Sequence, residues 1–205
     1  MARPAYSTDE RERIEAEIRR AALALFAEHG YRNVSMRAIG RELNLSATAL
    51  YRYFENKEAL LAAIRAEGFV ELRTRLVEVQ QAATAPVEVV RTAIKVYLDF
   101  ALTSRDLYSL MYEFDQAKVA EDPNVAINRR AAFAEAERIA ATLLSVSNQP
   151  GDPNELAHLF WIGAHGLAAL ALSHQLDLGK TYDALVEPLV HTLLNSVAPQ
   201  SGELH

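Results

Sequence analysis

The chain has 205 residues, half of them hydrophobic, with 27 acidic against 21 basic side chains and no cysteine. That length suits one domain or two small ones and is enough for a sizeable core. Without thiols there are no disulfides, thiolate metal ligands or cysteine nucleophiles; with a charged start, MARPAYSTDERER, and no apolar run near membrane-span length, a soluble, cytoplasmic protein that engages no membrane is expected.

Helical periodicity runs throughout, with no sustained two-residue alternation, so the predicted fold is all-α. Ser7-Thr8-Asp9-Glu10 can form a capping box for a first helix that buries Ile14, Ile18, Ala22, Leu25 and Phe26 and stops at Gly30. Ser35 caps a short helix carrying Met36, Ile39 and Leu43; Asn44 tolerates the left-handed backbone of a tight turn, and Ser46 caps a second short helix with Leu50 and Phe54 inward. The window 35–54 therefore has helix-turn-helix grammar, in which the second helix lies in a DNA major groove.

Asn56 caps a longer helix whose apolar positions Leu60, Leu61, Ile64, Phe69, Leu72 and Leu76 run to about Val79. No Gly/Ser tether separates it from what precedes, so movement can pass along it. Pro86 suits the first turn of a helix from about Ala85 to Leu102, and Asp106 begins a shorter one through Phe114. Asp122-Pro123 and Asp152-Pro153 each read as an N-cap followed by proline, opening helices to about Val146 and His174. A last helix is predicted from about Thr181 to Val197, with Pro188 bending it or removing a hydrogen bond.

The run Arg20-Ala21-Ala22, Leu25-Phe26, Gly30-Tyr31, Ser35-Met36, Ile39-Gly40, Leu43, Leu45-Ser46, Leu50-Tyr51, Tyr53-Phe54 and Lys57 to Leu61 resembles the DNA-binding domain of TetR-family transcriptional regulators. The resemblance covers about the first third of the chain. It implies an amino-terminal three-helix helix-turn-helix domain over 1–58, joined by a long helix to an effector-binding and dimerisation domain over 59–205. Charge distribution suits it: from His29 to Lys57 five cations face two anions, whereas from Ala59 onward 11 Lys and Arg face 18 Asp and Glu.

Carried over residue by residue, the resemblance assigns Ser35, Tyr51, Tyr53 and Lys57 to phosphates, and Arg37, Ala47 and Thr48 to base edges. Ser46 belongs to the same surface, and Arg52 either reaches a phosphate or pairs with Glu55. One short recognition helix reads only a few base pairs, so a homodimer on a palindromic double-stranded operator is expected.

In the carboxy-terminal part, Trp161-Ile-Gly-Ala-His165-Gly166 resembles the W-x-x-x-H-G signature of one domain type found on such regulators. Trp161 and His165 share a helical face, while Gly163 and Gly166 thin another for a neighbouring helix. The resemblance implies a four-helix dimer seam, with Leu159, Ile162, Gly166, Leu170, Leu189, Leu193 and Val197 as candidates. His165 reads either as an effector contact or as a core histidine with a structural partner.

Tyr97, Phe100, Tyr108, Met111, Tyr112 and Phe114, with Phe133 and Trp161 opposite, together with His165, are the candidate lining of a small-molecule cavity, and each also suits an aromatic core. No cofactor or metal is expected, since His158, His165 and His174 lack ligand spacing. An enzyme is disfavoured by the absence of a phosphate loop, a nucleophile elbow and a His–carboxylate set. The expected function is a ligand-released repressor, the alternative a helical interaction module or a DNA binder without small-molecule control.

Overall fold

The structure, a computed structural model, describes residues 7–82, 85–112, 122–147 and 150–195. Among these are nine α-helices, one 3-10 turn and no strand. The amino-terminal elements are α1 (Thr8–His29), the 3-10 turn Tyr31–Asn33, α2 (Met36–Glu42) and α3 (Ala47–Leu50). Then come α4 (Lys57–Ala82), α5 (Pro86–Thr103), α6 (Arg105–Tyr112), α7 (Pro123–Ser147), α8 (Pro153–Leu172) and α9 (Tyr182–Asn195).

Side-chain caps set most of the starts. Ser7, Ser35, Ser46 and Asp152 each accept a backbone N–H of the turn they open, and Asn56 Oδ1 accepts from Ala59 N at 2.6 Å. Helix α9 runs through Pro188, which is exposed. Predicted ends at Phe114 and Val197 lie outside the described residues.

Two hydrophobic cores form. The amino-terminal one joins Ile18, Ala22, Phe26, Ile39, Leu50 and Phe54 to Leu60, Leu61 and Ile64 of α4 and Leu110 of α6. The larger one takes Phe69, Leu72, Leu76 and Val79 of α4 together with α5, α7 and α8. The expected division after residue 58 thus falls within the first turn of α4, because that helix contributes its first half to one core and its second half to the other. Helix α6 also spans both, with Leu110 in the first and Tyr108 and Met111 in the second. At Gly68 a Cβ would lie 2.5 Å from Met111 Sδ, so α4 and α6 pack closely there and a larger residue would have to displace the Met111 side chain.

Glu135 of α7 is a buried carboxylate. It accepts from Arg73 Nε at 3.2 Å and Gln80 Nε2 at 3.2 Å, both on α4, and pairs with Arg138 at 2.5 Å. The hydrogen bond from Arg138 holds its pKa below the ordinary 4.5; burial opposes this, and Gln80 and Arg73 reinforce it. A depressed carboxyl pKa contributes stability that is present above the ordinary value and lost as pH falls through the folded one. Glu135→Gln should therefore lower the thermal midpoint at pH 7 by roughly 4–12 °C, from about 2–3 kcal/mol of charged hydrogen bonding. The difference between variant and wild type should shrink below about pH 4.5, as melting followed by circular dichroism would read.

Helix α8 corrects one expectation: it is long and apolar enough to cross a membrane by length and composition alone. Its Ala157, Phe160, Ala164, Leu167 and Ala168 are buried in the protein's own core.

Candidate DNA interface and effector cavity

The DNA-reading candidates lie on one continuous piece of chain. Asn44 adopts φ 55° between α2 and α3, as a left-handed turn requires. The turn closes tightly, since Leu45 N donates to Gly40 O at 2.8 Å and a Cβ on Gly40 would come within 2.8 Å of Leu45 O. Gly40 therefore lets the two helices approach.

Around this turn Ser35, Arg37, Ser46, Thr48, Tyr51 and Arg52 are exposed, while Ala47 and Tyr53 are half-buried. The Ser35 and Ser46 hydroxyls accept from Ala38 N at 3.2 Å and Ala49 N at 3.1 Å. Each keeps its own O–H for another acceptor. Tyr51 is 52% exposed; Tyr53 packs against the amino-terminal core with the Arg11 guanidinium 5.7 Å from its ring centroid. Among the described residues no ion pair joins Arg52 to Glu55.

Lys57 is placed differently from a plain phosphate-gripping cation. Its half-buried ammonium donates to Tyr31 O and Val34 O, both at 2.9 Å, and lies 4.3 Å from the Tyr31 ring centroid. Beside it Tyr31 donates to Glu58 Oε1 at 3.1 Å, and burial together with the Glu58 charge pushes that phenol up to about 12. Lys57 and Glu58 thus pin the segment ahead of α2 to the start of α4. Sequence spacing could not show this, because the partners are 23 and 26 residues apart.

In the second core a cavity of about 260 Å³ lies between α4, α5, α7 and α8, with Tyr112 of α6 also in its wall. Its walls are mainly apolar: Leu72 and Leu76 from α4, Val90 and Ile94 from α5, Ala132 and Ala136 from α7. Of the expected lining, Tyr97, Tyr112, Phe133 and Trp161 are there. Phe100, Tyr108, Met111 and His165 are not. The first three are at most 3% exposed, because their positions on α5 and α6 turn them into the core behind the cavity wall. Arg129, Arg130 and His158 do line it and were not among the expected residues.

His165 lies behind that wall in a chain of polar contacts. Trp161 Nε1 donates to the Tyr97 oxygen at 3.0 Å; the Tyr97 and Tyr108 oxygens are 3.1 Å apart, and Tyr108 Oη is 2.6 Å from His165 Nδ1. Burial pushes the Tyr97 and Tyr108 phenols up and the His165 imidazole down. With the phenols protonated, either oxygen of the Tyr97–Tyr108 pair can donate to the other, and Nδ1 accepts from Tyr108 in the tautomer that carries its proton on Nε2. His165 Nδ1 thus has a partner in the Tyr108 hydroxyl.

On α8, Leu159, Ile162 and Leu170 are 45%, 63% and 42% exposed, and a Cβ on Gly166 would meet nothing within 4 Å. Leu189 and Leu193 are half-buried instead and fill the space over Gly163, with Leu193 Cδ1 3.1 Å and Leu189 Cδ1 3.3 Å from where its Cβ would be. They hold α9 on α8 within one subunit. Val197 lies outside the described residues.

Comparison with known proteins places this arrangement. Residues 18–64 match the family described as bacterial regulatory proteins, tetR family, and residues 90–193 match the tetracyclin repressor-like C-terminal domain. YuxN, an uncharacterized HTH-type transcriptional regulator of Bacillus subtilis (strain 168), is 32% identical over 89 residues, 43% of this chain and 31% of YuxN. The chain thus spans less than a third of that relative's length. A protein of unknown function from Rhodococcus sp. RHA1 superposes with a TM-score of 0.77 at 27% identity, covering 88% of this chain and 95% of its own. AibR, solved in complex with isovaleryl coenzyme A and operator DNA, has a TM-score of 0.67 at 20% identity over 88% of this chain and 97% of its own. Both matched descriptions are of regulators and not of enzymes. With the helix-turn-helix inside the first match and the second alone covering half of its length, the chain belongs to the TetR family of transcriptional regulators.

Proposed function

We propose that the protein is a homodimeric repressor that leaves a palindromic operator when a small apolar or amphipathic molecule fills the cavity between α4, α5, α7 and α8. The observation that carries this reading is the dual membership of α4: Leu72 and Leu76 wall the cavity while Leu60, Leu61 and Ile64 belong to the DNA-binding core. A ligand that favours one inclination of α4 changes the separation of two recognition helices in a dimer. It must bind the DNA-incompetent state better, and a coupling of about 1–3 kcal/mol corresponds to a roughly 5- to 150-fold change in operator affinity. AibR, which shares the fold, was solved with an acyl-coenzyme A and operator DNA, in keeping with a fold that takes both a small molecule and DNA.

On the DNA side, Ser35, Tyr51, Tyr53 and Arg52 hold phosphates, and Arg37, Ala47 and Thr48 meet base edges. Lys57 acts chiefly by fixing the approach to α2, with at most one ammonium proton left for DNA. Genomic fragments selected by the purified protein and sequenced should share a two-fold symmetric site. Selection that enriches no common site would contradict the reading.

A further inference from the structure

We infer that the cavity takes an amphiphile with an anionic head, its oxyanion held at the rim by Arg129 and Arg130 and its tail enclosed between Phe133 and Trp161. This rests on the regulatory reading of the same cavity and names the ligand class it would respond to.

The distribution of polar groups carries the inference. Among the described lining residues there are two guanidinium groups and no carboxylate. Both arginines are exposed, at the solvent end of the α7 wall, and Phe133 follows Arg129 by four residues on the same helical face. Arg130 Nε donates to Ala126 O at 3.3 Å, which turns the guanidinium back along α7. Arg129 is near enough to oppose the rise that burial imposes on the Tyr112 phenol, after hydrogen bonds to Tyr97 and Trp161 have opposed it too. Its charge therefore acts at the cavity wall.

Deeper in, the polar atoms already have partners. Trp161 Nε1–H goes to Tyr97, and Tyr97 continues to Tyr108 and His165. A ligand head pushed inward would break these bonds, and a cationic head would meet guanidinium groups at the entrance. An anionic head left at the rim meets donors in fork geometry suited to carboxylate or phosphate. The volume of about 260 Å³ accepts on the order of ten non-hydrogen atoms, at the ~30 Å³ of a liquid water, so a tail near eight carbons fits.

Trp161 is the only tryptophan in the sequence and lines the cavity, so its fluorescence reports occupancy. Four probes of one chain length are titrated into the full chain: octanoate, octyl phosphate, 1-octanol and octylammonium. Octanoate or octyl phosphate should bind roughly tenfold or more tightly than octanol, and octylammonium weakest. The two anion arms distinguish a carboxylate source from a phosphate source.

Arg129→Gln with Arg130→Gln should erase the preference for the anion while leaving octanol affinity within about twofold. Equal affinity for octanol or octylammonium, a preference that survives in the double variant, or no fluorescence response to any probe would overturn the inference. The series on the unaltered protein decides even if the variant folds poorly. Operator release is read separately: octanoate that binds without releasing DNA contradicts the regulatory reading alone. Octanol that binds and releases DNA as well as octanoate contradicts the anionic head alone.

Discussion

Alanine at both Tyr51 and Arg52 lowers operator affinity by roughly 100-fold or more and makes the logarithmic salt slope shallower by about two. The two numbers come from different groups. Arg52 is an exposed cation beyond α3 that releases counterions when it meets a phosphate, and a two-fold complex contains two of them. Tyr51 supplies a neutral donor, so its loss lowers affinity without changing the slope. Arg37→Ala is expected to differ in kind, losing about 1–3 kcal/mol per half-site and relaxing preference at one base pair. Lys57→Met is the contrasting control: it removes two internal hydrogen bonds at 2.9 Å, so it lowers the thermal midpoint in the absence of DNA. Fluorescence anisotropy on a selected operator at several salt concentrations measures the first three effects. A Tyr51, Arg52 double variant with unaltered affinity and slope would remove this surface from the DNA interface.

These assignments were legible in the sequence to the extent that they rest on local chemistry. Caps at Ser7, Ser35, Ser46, Asn56 and Asp152 are decided within three residues of chain, and each is found where side-chain type and spacing put it. Asn44 is likewise a local matter, because a left-handed φ of 55° limits the residue types that fit. The Trp161–His165 pairing was legible from helical spacing, and both side chains meet Tyr97.

What was not legible depends on contacts between distant segments. Lys57 looks from its neighbours like a helix-start cation open to phosphate, and only the fold brings Tyr31 O and Val34 O to it. The aromatic stretch from Tyr97 to Tyr112 divides by helix rotation: Tyr97 and Tyr112 reach the cavity, while Phe100, Tyr108 and Met111 turn into the core. Glu135 resembles any helical glutamate until α4 packs over it with Arg73 and Gln80. Arg129 and Arg130 carry no local mark of a binding role, because the cavity that gives them one is assembled from five helices.

If the subunits pair as proposed, aspartate at Ile162 should leave a monomer at micromolar concentration and abolish measurable operator binding. Ile162 is 63% exposed, flanked along α8 by Leu159 and Leu170 at 45% and 42%, with open space over Gly166. This is one face of one helix, left uncovered while the opposite face fills the core and Gly163 receives Leu189 and Leu193. Burying one such side chain contributes about 1.5–3 kcal/mol, and two-fold symmetry counts it twice. The loss is therefore about 3–6 kcal/mol, a roughly 100- to 20,000-fold weaker association, before any penalty for desolvating two new carboxylates. Ile127→Asp makes the same chemical change at a 61% exposed position on α7 and should leave the mass unchanged. Sedimentation velocity separates the outcomes, and a dimeric Ile162→Asp protein would show that the subunits meet through a different face. If the mass halves while the helical circular dichroism is retained, the loss of operator binding follows from losing the second recognition helix, since each subunit alone contacts only one half-site.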